Sequence, residues 1–297
     1  MNAIAAQLQK HLNYHKKFTP EEFESQYNLR LGRPDYEQTV IPQWLQRSEA
    51  AREKLQCTLD IRYGDGEKQM LDVFSCGNSE VPSLLYFHGG YWQRGDKSIY
   101  SFLAEPYVAN GVNVIVVGYD LCPAVTLTQI SEQARQAVAW VYNNADEFAI
   151  NANNIIVMGH SAGGHITEMM MATDWGTFGM PENLVKAGIP ISPLSLLEPV
   201  RLTAGLNSGI RMDEAEAEAQ SPMINHHPNT SAPQLVVVGG AETDEFHRQS
   251  QMYVDAFTTD QRQMEMYVVP GVDHFDELNI LADADSEFFR KTLALMG

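Results

Sequence analysis

Basic residues are scarce in this chain of 297: 20 Lys and Arg stand against 38 Asp and Glu, a formal charge of −18. Such a surface repels polyanions, so a nucleic-acid partner is excluded unless a basic patch is concealed, and docking on anionic lipid is disfavoured for the same reason. Solubility is the simplest account of the acidity. Cysteine is scarcer still, with only Cys57, Cys76 and Cys122. An odd number without CxxC spacing supports neither a disulfide framework nor a zinc site, and fits thiols in a reducing compartment. Long apolar runs are missing too. No window approaches the roughly 18 apolar residues of a membrane span, and the longest runs, such as Val112–Val117, are strand-sized. The opening MNAIAAQLQKHLNYHKK has no basic stretch followed by an apolar one, so no secretory signal is read there and a cytoplasmic location is expected.

What is present is enough for a sizeable core, since 44% of the residues are hydrophobic. Residues 1–55 are polar and helix-prone and read as an N-terminal helical arm or cap. Leu55–Arg62 and Gln69–Phe74 flank Gly64-Asp65-Gly66, the pattern of a β-hairpin. Beyond Pro82, apolar runs at Leu84–Phe87, Val112–Val117, Ile155–Met158, Gly188–Ile191, Leu235–Val238 and Met264–Val269 alternate with helical stretches. The latter are expected over Ser98–Asn110, Thr128–Asn144, Ala162–Thr173, Glu245–Phe257 and Phe275–Leu295. This alternation predicts an α/β fold: one core over residues 56–297, with a mostly parallel sheet of about eight strands and helices on both faces. The runs are apolar on consecutive residues, as strands covered on both faces require. Residues 194–233 form a long insertion with the acidic stretch Asp213–Glu218; it reads either as a lid or pocket wall or as a solvated helix.

The strongest chemical signal is Gly159-His160-Ser161-Ala162-Gly163, a G-x-S-x-G placed directly after a strand-like run and before a helical stretch. That context is a nucleophile elbow, in which a sharp turn lifts a serine above the sheet and small neighbours avoid clashes. Upstream, His88-Gly89-Gly90-Tyr91-Trp92 follows another strand-like run, where this architecture places an oxyanion hole. The expected donors are the N–H groups of Gly90, Tyr91 and Ala162, with Gly89, Trp92 and His160 as residues of the substrate pocket. A serine nucleophile needs a base, and the base an orienting acid, in the order Ser, acid, His. Of the histidines after the elbow, His274 alone follows the last strand and precedes a terminal helix; His226, His227 and His247 fit surface roles better. For the acid, Glu245 reads as a first-turn helix charge. Composition does not decide between Glu242 and Asp244, but position on the loop favours Glu242 and leaves Asp244 as a candidate helix N-cap. Met169–Met171 and His165 read as packing residues.

The HGGYW and GHSAG motifs, Glu245-Phe246-His247-Arg248-Gln249-Ser250 and Val272-Asp273-His274-Phe275 together resemble the kynurenine formamidase (arylformamidase) family of α/β-hydrolases, related to the hormone-sensitive-lipase-like esterases. The resemblance extends to the N-terminal arm and the Tyr63-Gly64-Asp65-Gly66 turn. It implies the α/β-hydrolase fold, a Ser161–Glu242–His274 triad and N-formyl-L-kynurenine as substrate. Animal members carry Asp where this chain has Glu242. No cofactor and no metal are expected; the partner is a small aryl amide or ester, with no nucleic acid and no membrane. A homodimer is common among similar hydrolases. Two other functions fit the same motifs: a general small-acyl carboxylesterase, and a catalytically silent ligand-binding member of the fold.

Overall fold

The computed structural model describes residues 13–297, so the first part of the opening segment read for a secretory signal lies outside the described residues. Eight strands form one sheet: β1 (Cys57–Arg62), β2 (Met70–Phe74), β3 (Ser83–Phe87), β4 (Asn113–Val117), β5 (Ile155–His160), β6 (Val185–Ile191), β7 (Gln234–Gly239) and β8 (Met264–Val269). Their spatial order is β1-β2-β4-β3-β5-β6-β7-β8. β2 is antiparallel to both β1 and β4, and the pairings from β4 to β8 are parallel. The chain therefore moves outward from β3 to β4 and then returns to lay β5 on the other side of β3. Loops leaving β3 and β5 diverge, and a crevice opens at the carboxyl ends of these two strands, where open α/β sheets bind ligands.

The period of two explains why the central strands are apolar throughout. Leu85, Phe87, Ile115, Val117, Ile155 and Val157 pack into a core on one face, while Leu84, Tyr86, Val114, Val116, Ile156 and Met158 pack into a second core on the other. The first face is covered by α5 (Leu127–Asn143) and α6 (Ala162–Ala172), whose Ile130, Ala134, Val138, Ile166 and Met169 join that core. A capping box between Thr126 and Gln129 starts α5. Most of Ser98–Asn110 departs from the expected continuous helix. Turns at Lys97–Ile99 and Ser101–Leu103 precede a short α4 (Ala104–Ala109), because Asp96 accepts from Ser98 and the buried Ser48 hydroxyl takes the N–H of Phe102. The terminal stretch is likewise two helices, α12 (Glu277–Leu281) and α13 (Glu287–Met296). Asp283 captures the N–H of Asp285 and Ser286 caps the new helix through the N–H of Phe289.

Between β6 and β7 lie four short helices, α7 (Glu198–Leu202), α8 (Ala204–Ile210), α9 (Glu214–Ala219) and α10 (Pro222–Asn225). Asp213 caps α9 through the N–H of Glu216. The long helix α11 (Asp244–Phe257) follows β7. Before the sheet, α1 (Pro20–Tyr27), α2 (Tyr36–Thr39) and α3 (Ile41–Lys54) form an arm, with α1 packed on α7, α8 and α11 and α3 on the turns at Lys97–Ile99 and Ser101–Leu103. Among the described residues, no helix is long and apolar enough to cross a membrane.

Candidate active site

Ser161 follows the last residue of β5 with φ 59° and ψ −117°, a region that residues with a Cβ rarely adopt. The strain is held from both sides: its N–H donates to Ile191 at 2.8 Å, and its carbonyl accepts from His165 at 3.0 Å. The glycines have a concrete reason. A Cβ on Gly163 would lie 1.9 Å from the carbonyl oxygen of Phe87, and one on Gly159 would lie 2.2 Å from that of Gly163. The end of β3, the turn and the first residues of α6 touch backbone to backbone, which only glycine permits.

His274 lies on the loop after β8, and Glu242 on the loop after β7. The His274 Nδ1–H donates to Glu242 Oε1 at 2.6 Å, with both side chains buried. This bond leaves Nε2 without a proton in the neutral ring. The two loops are also tied through their backbones, with Ala241 N–H donating to Val272 and Gly240 N–H to Val269 at 2.9 and 2.7 Å. Ser161 and His274 line one cavity of about 490 Å³ together with Gly89, Gly90 and Tyr91.

The loop after β3 turns left-handed at three successive residues, with φ 122° at Gly90, 50° at Tyr91 and 56° at Trp92. Among the described residues, no protein acceptor takes the N–H of Gly90, Tyr91 or Ala162. His88 sets the base of this loop: its ring stacks between Tyr100 and Tyr119 and its Nδ1–H donates to the Gly89 carbonyl at 2.8 Å. Burial pulls its pKa down to about 4, so it is a neutral structural ring near neutrality.

His160 joins the two halves of the site. Its Nε2–H donates to the His274 carbonyl at 2.9 Å, and the same nitrogen lies 3.2 Å from Glu277 Oε2. The latter contact is not an ion pair near neutrality. Burial and the neighbouring His274 hold His160 well below the usual histidine range, and burial plus the Glu242 charge hold Glu277 well above the usual carboxyl range. Among the described residues, His160, His274 and Glu277 form the one group whose ligand atoms are close enough for a metal ion, within 4.8 Å. Each is already committed: His160 to the His274 carbonyl, His274 to Glu242, and Glu277 Oε1 to the Ser192 hydroxyl at 2.7 Å.

Two expectations need correction. Trp92 does not line the cavity; its positive φ turns the indole into the core, where it is fully buried edge-on to His165. Asp244 is the first residue of α11 rather than its N-cap, which is Thr243. Glu245 stands in the first turn of α11 as expected, and it is buried there, bound by Arg248 at 2.5 Å and by the Tyr27 hydroxyl at 2.5 Å. His165 packs as expected and donates to the Gln220 carbonyl, and Met169–Met171 are core residues. From the insertion, Gly205 and Leu206 reach the cavity, whereas the acidic residues of α9 do not.

The arm supplies what sequence spacing did not reveal. Tyr91 donates its hydroxyl to the Tyr27 carbonyl, Thr243 donates to the Gln26 carbonyl, and Arg33 binds Asp273 and Asp276 on either side of His274. Arg30, Tyr36, Glu37 and Trp44 line the cavity directly. The arm thus braces the oxyanion, acid and histidine loops at once.

Comparison with known proteins agrees with this architecture. Residues 84–276 match the model of an alpha/beta hydrolase fold family. The chain is 30% identical over 295 residues to a kynurenine formamidase of Salmo salar, covering 95% of each chain, and 29% identical over 293 residues to one of Danio rerio, covering 95% and 98%. A candidate thioesterase structure from Silicibacter sp. tm1040 superposes with a TM-score of 0.72 at 32% identity, covering 86% of this chain and 92% of that one. An esterase B of Lactobacillus rhamnosis shares the fold at a TM-score of 0.66 and 18% identity, covering 87% and 91%. The chain belongs to the α/β-hydrolase fold family, as a hydrolase related along nearly its whole length to the kynurenine formamidases.

Proposed function

We propose that this hydrolase is a serine-dependent arylformamidase that converts N-formyl-L-kynurenine to kynurenine and formate. The observation that carries the reading is the 2.6 Å Glu242–His274 bond at the cavity in which Ser161 sits on its strained turn. With Nδ1–H given to Glu242, His274 Nε2 takes the Ser161 proton as the hydroxyl attacks the formyl carbon. The oxyanion that forms is received by the N–H groups of Gly90, Tyr91 and Ala162. One such donor contributes about 2.7–4 kcal/mol to the transition state, and the N-terminal end of α6 adds its positive dipole. His274 then protonates the departing aryl amine, and water, activated by the same ring, releases formate. Glu242 holds the imidazole in one tautomer and stabilises its cation. Every step uses side chains and backbone of this chain, so the reading assigns no metal and no cofactor.

An aryl formamide suits this machinery. Its nitrogen lone pair is shared with the ring, which weakens the amide, and its formyl carbon is unhindered. The relatives named as kynurenine formamidases support the substrate, and the esterase B match in fold keeps a small-acyl carboxylesterase as the competitor. Comparing kcat/KM for formylkynurenine with that for short p-nitrophenyl esters tests the choice. A clear preference for formylkynurenine is expected; a rate no better than on generic aryl esters would overturn the formamidase reading.

A further inference from the structure

The cavity holds a charge arrangement that acyl transfer does not use. Among the described residues lining it, Arg30 and Arg94 carry guanidinium groups and Glu37 carries the one carboxylate. Arg30 Nη2 and Arg94 Nη1 each lie 3.1 Å from the same oxygen, Glu37 Oε1. One carboxylate between two cations leaves a positive surplus at the mouth of the site, in a chain whose formal charge is −18. Exposed ion pairs contribute little to stability, so holding the fold together does not account for a second arginine on one carboxylate. The side chains are 34% exposed at Arg30, 52% at Glu37 and 57% at Arg94, and a guanidinium has five donors. Among the described residues, Arg94 spends one of these on a side-chain bond, to Glu37.

Position adds to the argument. Arg94 belongs to the oxyanion turn itself: its N–H donates to the Gly90 carbonyl at 3.1 Å. Its backbone crowds Gly90, where a Cβ would lie 2.2 Å from the Arg94 carbonyl oxygen. Between the reacting end and the charged end runs an aromatic pair. Phe275 follows His274, Tyr36 precedes Glu37, and their rings stack with centroids 4.4 Å apart. The cavity therefore offers, in sequence, a base, an aromatic wall and a plus–minus–plus charge cluster.

We infer that Arg30, Glu37 and Arg94 form the recognition site for a zwitterionic α-amino-acid head on the substrate, with the stacked Tyr36–Phe275 pair as a wall along one side of its aryl ring. The substrate carboxylate binds the guanidinium groups, whose planar forks match it, and the ammonium binds Glu37. A neutral ester or formamide makes neither contact. This inference rests on the arylformamidase reading and gives it a specificity element.

Two measurements on wild type, Arg30→Gln and Arg94→Gln test it. The first is the ratio of kcat/KM for formylkynurenine to that for 2-formamidoacetophenone, which keeps the scissile bond and lacks the head. The second, independent of formamide cleavage, is competitive inhibition of p-nitrophenyl acetate hydrolysis by kynurenine and by kynuramine, which lacks the carboxylate. Wild type is expected to favour the zwitterion and to bind kynurenine more tightly than kynuramine, and each arginine variant to reduce both preferences about tenfold or more, through KM and Ki. If formamides are cleaved well but wild type shows neither preference, or the variants keep both, the head-group site is overturned and the formamidase reading stands. If both formamides are poor substrates, the formamidase reading fails. The inhibitor pair then decides alone: a carboxylate preference lost in the variants supports amino-acid recognition, and equal inhibition overturns it.

Discussion

His160, the residue immediately before Ser161, donates its Nε2–H to the backbone carbonyl of His274 at 2.9 Å, and the two rings lie with centroids 4.4 Å apart. The strand that presents the serine and the loop that presents the histidine are thereby joined directly, across 114 positions of sequence. The residue before the serine in the elbow is a brace for the opposite half of the site.

Removing Ser161 or His274 should remove the chemistry and spare the fold. Ser161→Ala and His274→Ala are each expected to lower kcat on formylkynurenine by at least about 10³-fold, and the double variant by little more, since the groups act as a unit. Unchanged turnover in purified Ser161→Ala, with an intact circular dichroism spectrum, would refute the serine mechanism.

The acid assignment is separable by comparing neighbours. Glu242→Gln should lower kcat by roughly 10³–10⁴-fold, because His274 loses the partner that fixes its tautomer. Asp244→Asn, at the first residue of α11, should change it less than about threefold. The reverse ranking in steady-state kinetics would move the role to Asp244.

Backbone contact at the elbow predicts intolerance of one carbon. Gly163→Ala forces a Cβ against the Phe87 carbonyl and should cost about 3 kcal/mol or more in urea unfolding. Gly32→Ala is the control. Its φ of −79° suits alanine and a Cβ there meets nothing nearer than 3.6 Å, so stability should hold or rise slightly. Equal effects of the two would contradict the packing argument.

Glu168 predicts a pH effect of definite sign. It is fully buried on α6, its Oε1 accepts from Ser195 at 2.8 Å, and burial pushes its pKa well above the carboxyl range. The unfolded chain therefore releases this proton first, and the stability contributed by the folded protonated form is full below the unfolded pKa, then is lost as pH rises toward the folded one. Glu168→Gln keeps the shape without the titration. The Tm of the variant should gain on that of wild type between pH 5 and pH 8; a difference independent of pH would disprove a buried neutral Glu168. The buried His88 and His165, each pulled down to about 4, act in the opposite direction as pH falls, which is why the variant-minus-wild-type difference is the quantity to read.

Arg33 tests the bracing of the histidine loop. It binds Asp273 at 2.7 Å and Asp276 at 2.9 Å on a partly exposed surface. Arg33→Ala should lower stability by only about 1 kcal/mol or less. Its effect on kcat should exceed its effect on KM, since His274 is displaced rather than the substrate. Equal kcat in the two proteins would show that the loop holds itself.

Local chemistry made part of this site legible. The G-x-S-x-G spacing announces Ser161 because the elbow's steric demand falls on residues adjacent in the chain, and His274 and Glu242 could be found because each follows a recognisable strand. Trp92 was placed wrongly because spacing does not reveal which way a left-handed turn throws its side chain. The break at Ala282–Ser286 was hidden because serine and aspartate captured backbone N–H groups inside an otherwise helical pattern. Arg30, Glu37 and Tyr36 carried no local signal at all. Glu37 meets Arg94 across 57 positions and Tyr36 stacks on Phe275, and the arm that carries them is tied down over more than two hundred positions, as with Tyr27 and Glu245 at a separation of 218 or Arg33 and Asp273 at 240.

Those separations also order events in time. The arm is made long before the loops it braces, and closing such distant contacts is slow and entropically costly until the sheet has brought both ends together. A chain that has completed its sheet but not yet docked residues 20–44 would have a serine, an acid and a histidine without a roof. Recovery of activity should therefore lag recovery of secondary structure during refolding.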